Sequence, residues 1–251
     1  MISKNQLKFL YSLRLGKFRE QHQAFIVEGI KMVDELIMSD FRVHAIYGLG
    51  DWYASRKTIL TEKNIDFHEI TEYELRKTSS LKTPNMVMAV AAIPDASLPE
   101  PEQTGDLVIL LDQIQDPGNL GTIIRTADWF GIQYIICAED TVDAYNPKVV
   151  QATMGSIFRV KVISHDLRDF IGAIADTHQV AGAVLDGEDI RVAGLSLPAA
   201  IVIGNESKGI SEEIGRSLQR RIRIPSHSSV TESLNAPVAA GILCWEYRRG
   251  G

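Results

Sequence analysis

The chain has 251 residues, 45% hydrophobic and 23% charged, the make-up of a globular protein rather than a disordered or fibrous one. No apolar run reaches the roughly 18–20 residues of a membrane-spanning helix. The start Met1-Ile2-Ser3-Lys4-Asn5-Gln6 turns amphipathic and does not read as a secretory signal. The net charge of −6 does not advertise a nucleic-acid binder, but the charge is uneven: up to Asp95 there are 13 Lys+Arg against 12 Asp+Glu, and beyond it 13 against 20. Basic clusters stand at Lys4, Lys8, Arg14, Lys17 and Arg19, and at Arg216, Arg220, Arg221 and Arg223. Solvated helix faces are the plain reading, yet an acidic chain can still carry a basic groove.

In chain order, Leu7, Leu10 and Leu13 give an amphipathic start, followed by the apolar run Ala24–Val27 and a helix with Ile30, Val33, Leu36 and Ile37 on one face. A strand over Val43–Leu49, a helix over Trp52–Asn64, a short strand over Asp66–Ile70, a polar helix over Glu72–Ser79 and a strand over Met86–Ile93 complete a small α/β/α domain. The Pro-rich, acidic stretch 94–106 reads as a linker between residues 1–93 and 107–251. Beyond it, strand-like runs at Leu107–Leu111, Tyr134–Cys137, Val160–Ile163, Val180–Leu185, Ile201–Ile203 and Arg221–Ile224 alternate with helix patterns. These are Thr122–Phe130 (starting near Leu120), Pro147–Ile157, Leu167–Asp176, Ser211–Leu218 and Pro237–Arg248. The alternation predicts an α/β, doubly wound, mostly parallel sheet.

Cys137 and Cys244 sit in apolar runs and read as small core residues, which points to a reducing, cytoplasmic setting. No His/Cys cluster has metal-ligand spacing, so no metal is expected. The P-loop pattern G-x-x-x-x-G-K-[ST] is absent, as are G-x-G-x-x-G and the G-x-S-x-G nucleophile elbow. Phosphoryl transfer, hydride transfer and serine hydrolysis all lose ground. What remains is three polar segments placed after apolar runs, where strands of an open sheet end and ligands bind. They are Asp116–Gly121 running on to Arg125, then Ile203–Gly209, then Ser233-Leu234-Asn235. Taken singly, Asn119 and Ser233 read as helix caps, Arg125 as a surface arginine and Glu206 as a loop carboxylate.

Together, Asp116-Pro117-Gly118-Asn119-Leu120-Gly121-Thr122-Ile123-Ile124-Arg125, Ile203-Gly204-Asn205-Glu206-Ser207-Lys208-Gly209, and Ile224-Pro225 through Ser233-Leu234-Asn235 closely resemble the three motifs of the SpoU (TrmH-like) RNA ribose 2′-O-methyltransferases, a family of the SPOUT class. The likeness spans roughly residues 107–249, and residues 1–93 resemble the L30e-like RNA substrate-binding domain such enzymes often carry, best at Phe25-Ile26-Val27-Glu28-Gly29. The resemblance implies a C-terminal trefoil knot, S-adenosylmethionine as cofactor and a homodimer to which the final helix contributes. It also implies an RNA substrate, rRNA ahead of tRNA. Asn119, Arg125, Glu206, Ser233 and Asn235 match the active-site set, and Gly204, Ile224 and Leu234 the positions that grip the cofactor.

For Arg125 two roles stand. The resemblance puts it nearest to proton abstraction, while a guanidinium that stays protonated suits a bidentate phosphate clamp. The chain departs from the family pattern at Ser226–Glu232, at Ser207 and at Ala236-Pro237, which touches the expected cofactor loop; His227 reads as a solvated loop histidine. A noncatalytic RNA-binding or assembly protein on the same scaffold is the competing reading, and an NAD-dependent oxidoreductase is disfavoured by its missing fingerprint.

Overall fold

The computed structural model of the chain describes residues 2–95, 97–227, 230 and 233–249. They divide into two compact units, each built on its own sheet. Among the described residues no helix is long and apolar enough to cross a membrane.

Unit 1 takes the residues up to Asp95 together with Asp143–Phe158. It opens with α1 (Lys4–Ser12), whose start is closed by a reciprocal capping box between Ser3 and Gln6, and α2 (Gly16–His22). Then follow β1 (Ala24–Glu28), α3 (Ile30–Met38), β2 (Val43–Gly48), α4 (Gly50–Ala54), α5 (Lys57–Glu62), β3 (Phe67–Glu69), α6 (Glu72–Thr78) and β4 (Val87–Ala92). The sheet order is β1-β4-β2-β3, with β4 antiparallel to both neighbours and β3 parallel to β2. Leu10, Leu13 and Leu75 from the helices pack with Ile26, Tyr47 and Val90 of the strands. The helix pattern over Trp52–Asn64 is two helices, because Ser55 folds back, its N–H and hydroxyl both donating to the Trp52 carbonyl.

The helix Pro147–Thr153 packs on β1 of this unit, although its sequence lies among the elements of the second sheet. Val149, Val150 and Thr153 are buried, the Tyr145 ring lies tilted against Phe25 with centroids 4.7 Å apart, and Phe158 meets Phe41 edge-on at 5.4 Å. The almost fully buried Arg19 donates to Asp143 and, at 2.9 Å, to the Leu13 carbonyl. Helical periodicity identifies such a segment as amphipathic but says nothing of which surface it covers.

Unit 2 runs β5 (Leu107–Leu111), α7 (Pro117–Trp129), β6 (Tyr134–Cys137), β7 (Lys161–Ser164), α9 (Leu167–Ile174), β8 (Gln179–Asp189), β9 (Ala199–Ile203), α10 (Glu212–Gly215), β10 (Arg220–Arg223) and α11 (Ala236–Arg248); the Pro147–Thr153 helix is α8 in chain order. Its sheet has six strands in the order β10-β8-β9-β5-β6-β7, every pairing parallel. β5 and β9, side by side at its centre, are buried at every residue, as strands covered on both faces must be. One face packs Val108, Leu110, Val202 and Ile136 against Phe170 and Ile174 of α9. α11 packs on β9 and on α7, and is pinned by Arg248, which donates to the Phe130 carbonyl at 3.1 Å and to Asp106 at 2.6 Å.

Because the strands are parallel, all their C-terminal ends point the same way. The loops after β5, β9 and β10 therefore leave from one side of the sheet.

Candidate active site

β5 and β9 run in register from Leu107 opposite Ala199 to Leu111 opposite Ile203, so the chain leaves both strands at one level. There the Asp112 N–H donates to the Ile203 carbonyl at 2.9 Å, and the buried Asp112 carboxylate accepts from the Ser211 N–H at 2.6 Å. A carboxylate that accepts backbone N–H groups ties one loop to the root of the next.

After β5 the helix α7 begins earlier than its apolar periodicity suggests, at Pro117 rather than near Leu120. Asp116 is the N-cap, its carboxylate accepting from the Asn119 N–H at 2.8 Å, and Pro117 takes the first helical position, where a missing N–H costs nothing. Asn119 is thus no cap. It lies in the first turn with its side-chain amide free for other work.

After β9 the loop closes on itself. Asn205 and Gly209 exchange both backbone hydrogen bonds, at 3.0 and 2.8 Å, with Gly209 in the left-handed region at φ +70°. The Asn205 side chain accepts from the N–H groups of Ser207 and Lys208 at 2.9 and 3.1 Å and donates to the Gln113 carbonyl at 2.9 Å. Gly204 is a steric necessity: a Cβ there would lie 2.2 Å from the Gly209 carbonyl carbon and 2.3 Å from the Ile210 nitrogen, both backbone atoms.

This folded loop holds Glu206, half-buried, against α7. Asn119 Nδ2 donates to Glu206 Oε1, and Asn119 Oδ1 accepts from Asn235 Nδ2 at 3.1 Å. Three segments separated by 87 and 116 residues meet on one amide. Asn235 is the N-cap residue of α11, yet it makes no capping hydrogen bond through its side chain, which is turned to Asn119 instead. Arg125 and Ser233 are both exposed and are not hydrogen-bonded to this set. Arg125 lies on the outward stripe of α7 formed by Gly118, Thr122, Arg125 and Trp129, all exposed. Ile224 follows directly on β10 and is partly buried; Leu234, beside Asn235, is 44% exposed. Of the atypical loop Ser226–Glu232, residues Ser228, Ser229, Thr231 and Glu232 lie outside the described residues; His227 is exposed.

Of the supports, Asp116 and Asn205 lie within the polar segments read from the sequence, whereas Asp112 and Gln113 have no signal there as site residues, an Asp after a strand being an ordinary turn former. Burial pushes both Cys137 and Cys244 up to about 12, so each stays a neutral thiol and neither offers a thiolate nucleophile. Among the described residues no three His, Cys, Asp or Glu side chains are gathered to hold a metal ion.

Strand order reverses beside β5 and β9, and in open α/β sheets the carboxyl ends of the strands at such a reversal are where ligands bind. Gly204 keeps the loop backbone bare of side chain, Leu234 offers apolar surface, and Asn119, Glu206 and Asn235 supply a fixed polar edge. These residues fit an adenosyl cofactor gripped by loop backbone and apolar contact.

Comparison with known proteins places the chain in a family. The SpoU rRNA methylase family model matches residues 106–245, and the MRM3-like substrate binding domain matches residues 4–89. The chain is 30% identical over 249 residues, 98% of its own length and 97% of the relative's, to the 23S rRNA (guanosine(2553)-2′-O)-methyltransferase RlmP of Bacillus subtilis. It superposes on a TrmH-family structure from Porphyromonas gingivalis with a TM-score of 0.90 and 37% identity, covering all of both chains. An AdoMet-bound rRNA methyltransferase from Sinorhizobium meliloti follows it with a TM-score of 0.87 and 29% identity, over 100% of this chain and 96% of the other. The chain belongs to the SpoU rRNA methylase family and is an RNA methyltransferase.

Proposed function

We propose that the protein transfers a methyl group from S-adenosylmethionine to a ribose 2′-OH of structured RNA, with ribosomal RNA as the substrate. The observation that carries this is the meeting of Asn119, Glu206 and Asn235 at the C-terminal ends of the central strands. Bound S-adenosylmethionine supplies an electrophilic methyl group on a sulfonium. The chain's part is to align the ribose hydroxyl for in-line displacement and to let its proton leave.

In this reading Gly204, Ile224 and Leu234 hold the cofactor. Glu206 fixes the Asn119 amide with its N–H side toward the carboxylate, and Asn235 is held on the other side, so the polar edge is rigid before substrate arrives. Arg125, on the outward face of α7, clamps the phosphate of the target nucleotide with its forked donors, and Ser233 borders the reaction site.

The reading includes the trefoil knot of the class, a cytoplasmic setting and a homodimer. Trp129 and Val238 are 85% and 49% exposed, and Trp245 61%, large apolar side chains left in water on the packed pair α7 and α11 that a second copy could cover. A second copy covering it would stand next to Arg125. Large-subunit rRNA comes forward as the first substrate to examine, since the Bacillus relative modifies 23S rRNA.

The test has two arms. Calorimetry with S-adenosylmethionine is expected to show one site per chain; no binding at millimolar cofactor would leave only the RNA-binding scaffold. Ribose methylation mapped in RNA from cells with and without the protein is expected to lose an rRNA mark, whereas loss confined to tRNA would overturn the substrate.

A further inference from the structure

The basic cluster at the start of the chain takes no part in the site just described. In unit 1 it folds into a surface with a definite chemistry. α1 presents Lys4, Lys8 and Tyr11, spaced i, i+4, i+7 on one exposed face, while Leu10 and Leu13 go into the core. α6 packs beside it, with Leu75 in the same core and Tyr73, Arg76 and Lys77 outward. The corner after α1 is locked to the end of α6 by Arg14, whose Nη2 donates to the Thr78 carbonyl at 2.8 Å and to that of Ser79. The next turn is held from beneath by the buried Glu28, which accepts from the hydroxyls of Ser79 and Ser80.

On this frame three of the cations sit over aromatic rings. The Arg14 guanidinium lies 4.6 Å from the Tyr11 centroid, Lys17 Nζ 4.9 Å from Phe18, and Lys77 Nζ 4.4 Å from Tyr73. Tyr11 and Tyr73 remain 56% and 66% exposed, large rings left in water on a rigid base. The exposed carboxylates of α1, α2 and α6 are Glu20 and Glu72, and Glu72 is already paired with Arg76 at 3.7 Å. A positive, ring-bearing face on a chain of net charge −6 is a local arrangement, not a consequence of composition.

We infer that the α1–α2–α6 face receives unpaired nucleotides of the RNA substrate, with bases stacking on Tyr11 and Tyr73 and phosphates meeting Lys4, Lys8, Lys17 and Lys77. Unpaired RNA is the partner that presents both π-faces and regularly spaced negative charge; a duplex hides its bases, and an acidic peptide offers no face to stack. The inference rests on the RNA-methyltransferase reading for its choice of RNA, and adds which surface and which RNA conformation.

The experiment measures fluorescence anisotropy of the full-length protein with a labelled oligouridylate and with a blunt RNA duplex of equal length. Tyr11→Ala and Tyr73→Ala are each expected to weaken oligouridylate binding about tenfold while changing duplex binding far less, and Tyr11→Phe and Tyr73→Phe to retain it. Lys8→Gln with Lys77→Gln is expected to flatten the salt dependence of binding. Unchanged oligouridylate affinity in both alanine variants, or an equal loss on the duplex, overturns the assignment. S-adenosylmethionine affinity, measured on the same proteins, separates the two readings: its absence from the wild type counts against the enzyme reading alone, and its persistence in variants that still bind oligouridylate normally counts against this surface alone.

Discussion

Asn119 is used twice, as donor to Glu206 and as acceptor from Asn235, so its amide touches both other segments. Asn119→Ala removes one hydrogen bond from the half-buried Glu206 and one from the exposed Asn235, a loss of about 1 kcal/mol. Methyl transfer should fall on the order of 10- to 100-fold in kcat/KM, while calorimetry finds the cofactor still bound; wild-type turnover would remove Asn119 from the site. Arg125→Lys keeps the charge but not the fork. It should abolish most turnover with cofactor affinity and thermal midpoint unchanged, since Arg125 is exposed. Gly204→Ala differs in kind, because its new methyl meets backbone that no side-chain rotation relieves. A loss of about 1–3 kcal/mol in stability is expected from the overpacking, together with weaker cofactor binding, read by denaturant titration and calorimetry.

Elements place these residues, and the placements rest on termini. Pro117 and Asp116 start α7 early enough to put Asn119 in its first turn; the apolar residues Leu120, Ile123 and Ile124 alone would mark a later start. At the other end of the unit Arg248 ties α11 to Asp106 at the entrance to β5. Hydrogen bonding to Arg248 holds the Asp106 carboxyl below the usual carboxylate range, against the opposing effect of burial. A carboxyl depressed in the folded state stabilises above its unfolded pKa of about 4, and that contribution drains away as pH falls through the folded value. Asp106→Asn should therefore lower the thermal midpoint at pH 7 and narrow its gap from wild type under strongly acidic conditions. An equal gap at both extremes would show that the ion pair is not the source.

On the scale of the whole molecule, the proposed homodimer makes a prediction about the exposed Trp129 and Trp245. Trp129→Glu and Trp245→Glu should shift the protein to a single-chain species in sedimentation velocity, with the far-ultraviolet spectrum preserved and methyl transfer reduced. A monomeric wild type of full activity would refute the paired assembly.

Read from the sequence alone, the alternating elements, the parallel second sheet and the three polar segments were all legible. Each of these is a local signal: buried parallel strands are unbroken apolar runs, as in Leu107–Leu111, and chemistry-bearing residues stand out where such runs stop. What remained hidden is non-local. That Asn119 is a bridge and not a cap depends on Glu206 and Asn235, 87 and 116 residues away. That Asp143–Phe158 folds with unit 1 depends on Arg19, Phe25 and Phe41, and that Lys8 and Lys77 share one face depends on α1 lying beside α6. Periodicity tells a chain which side of an element to bury. Only packing in three dimensions chooses the surface it is buried against, and so which polar groups, remote in sequence, come within hydrogen-bonding distance.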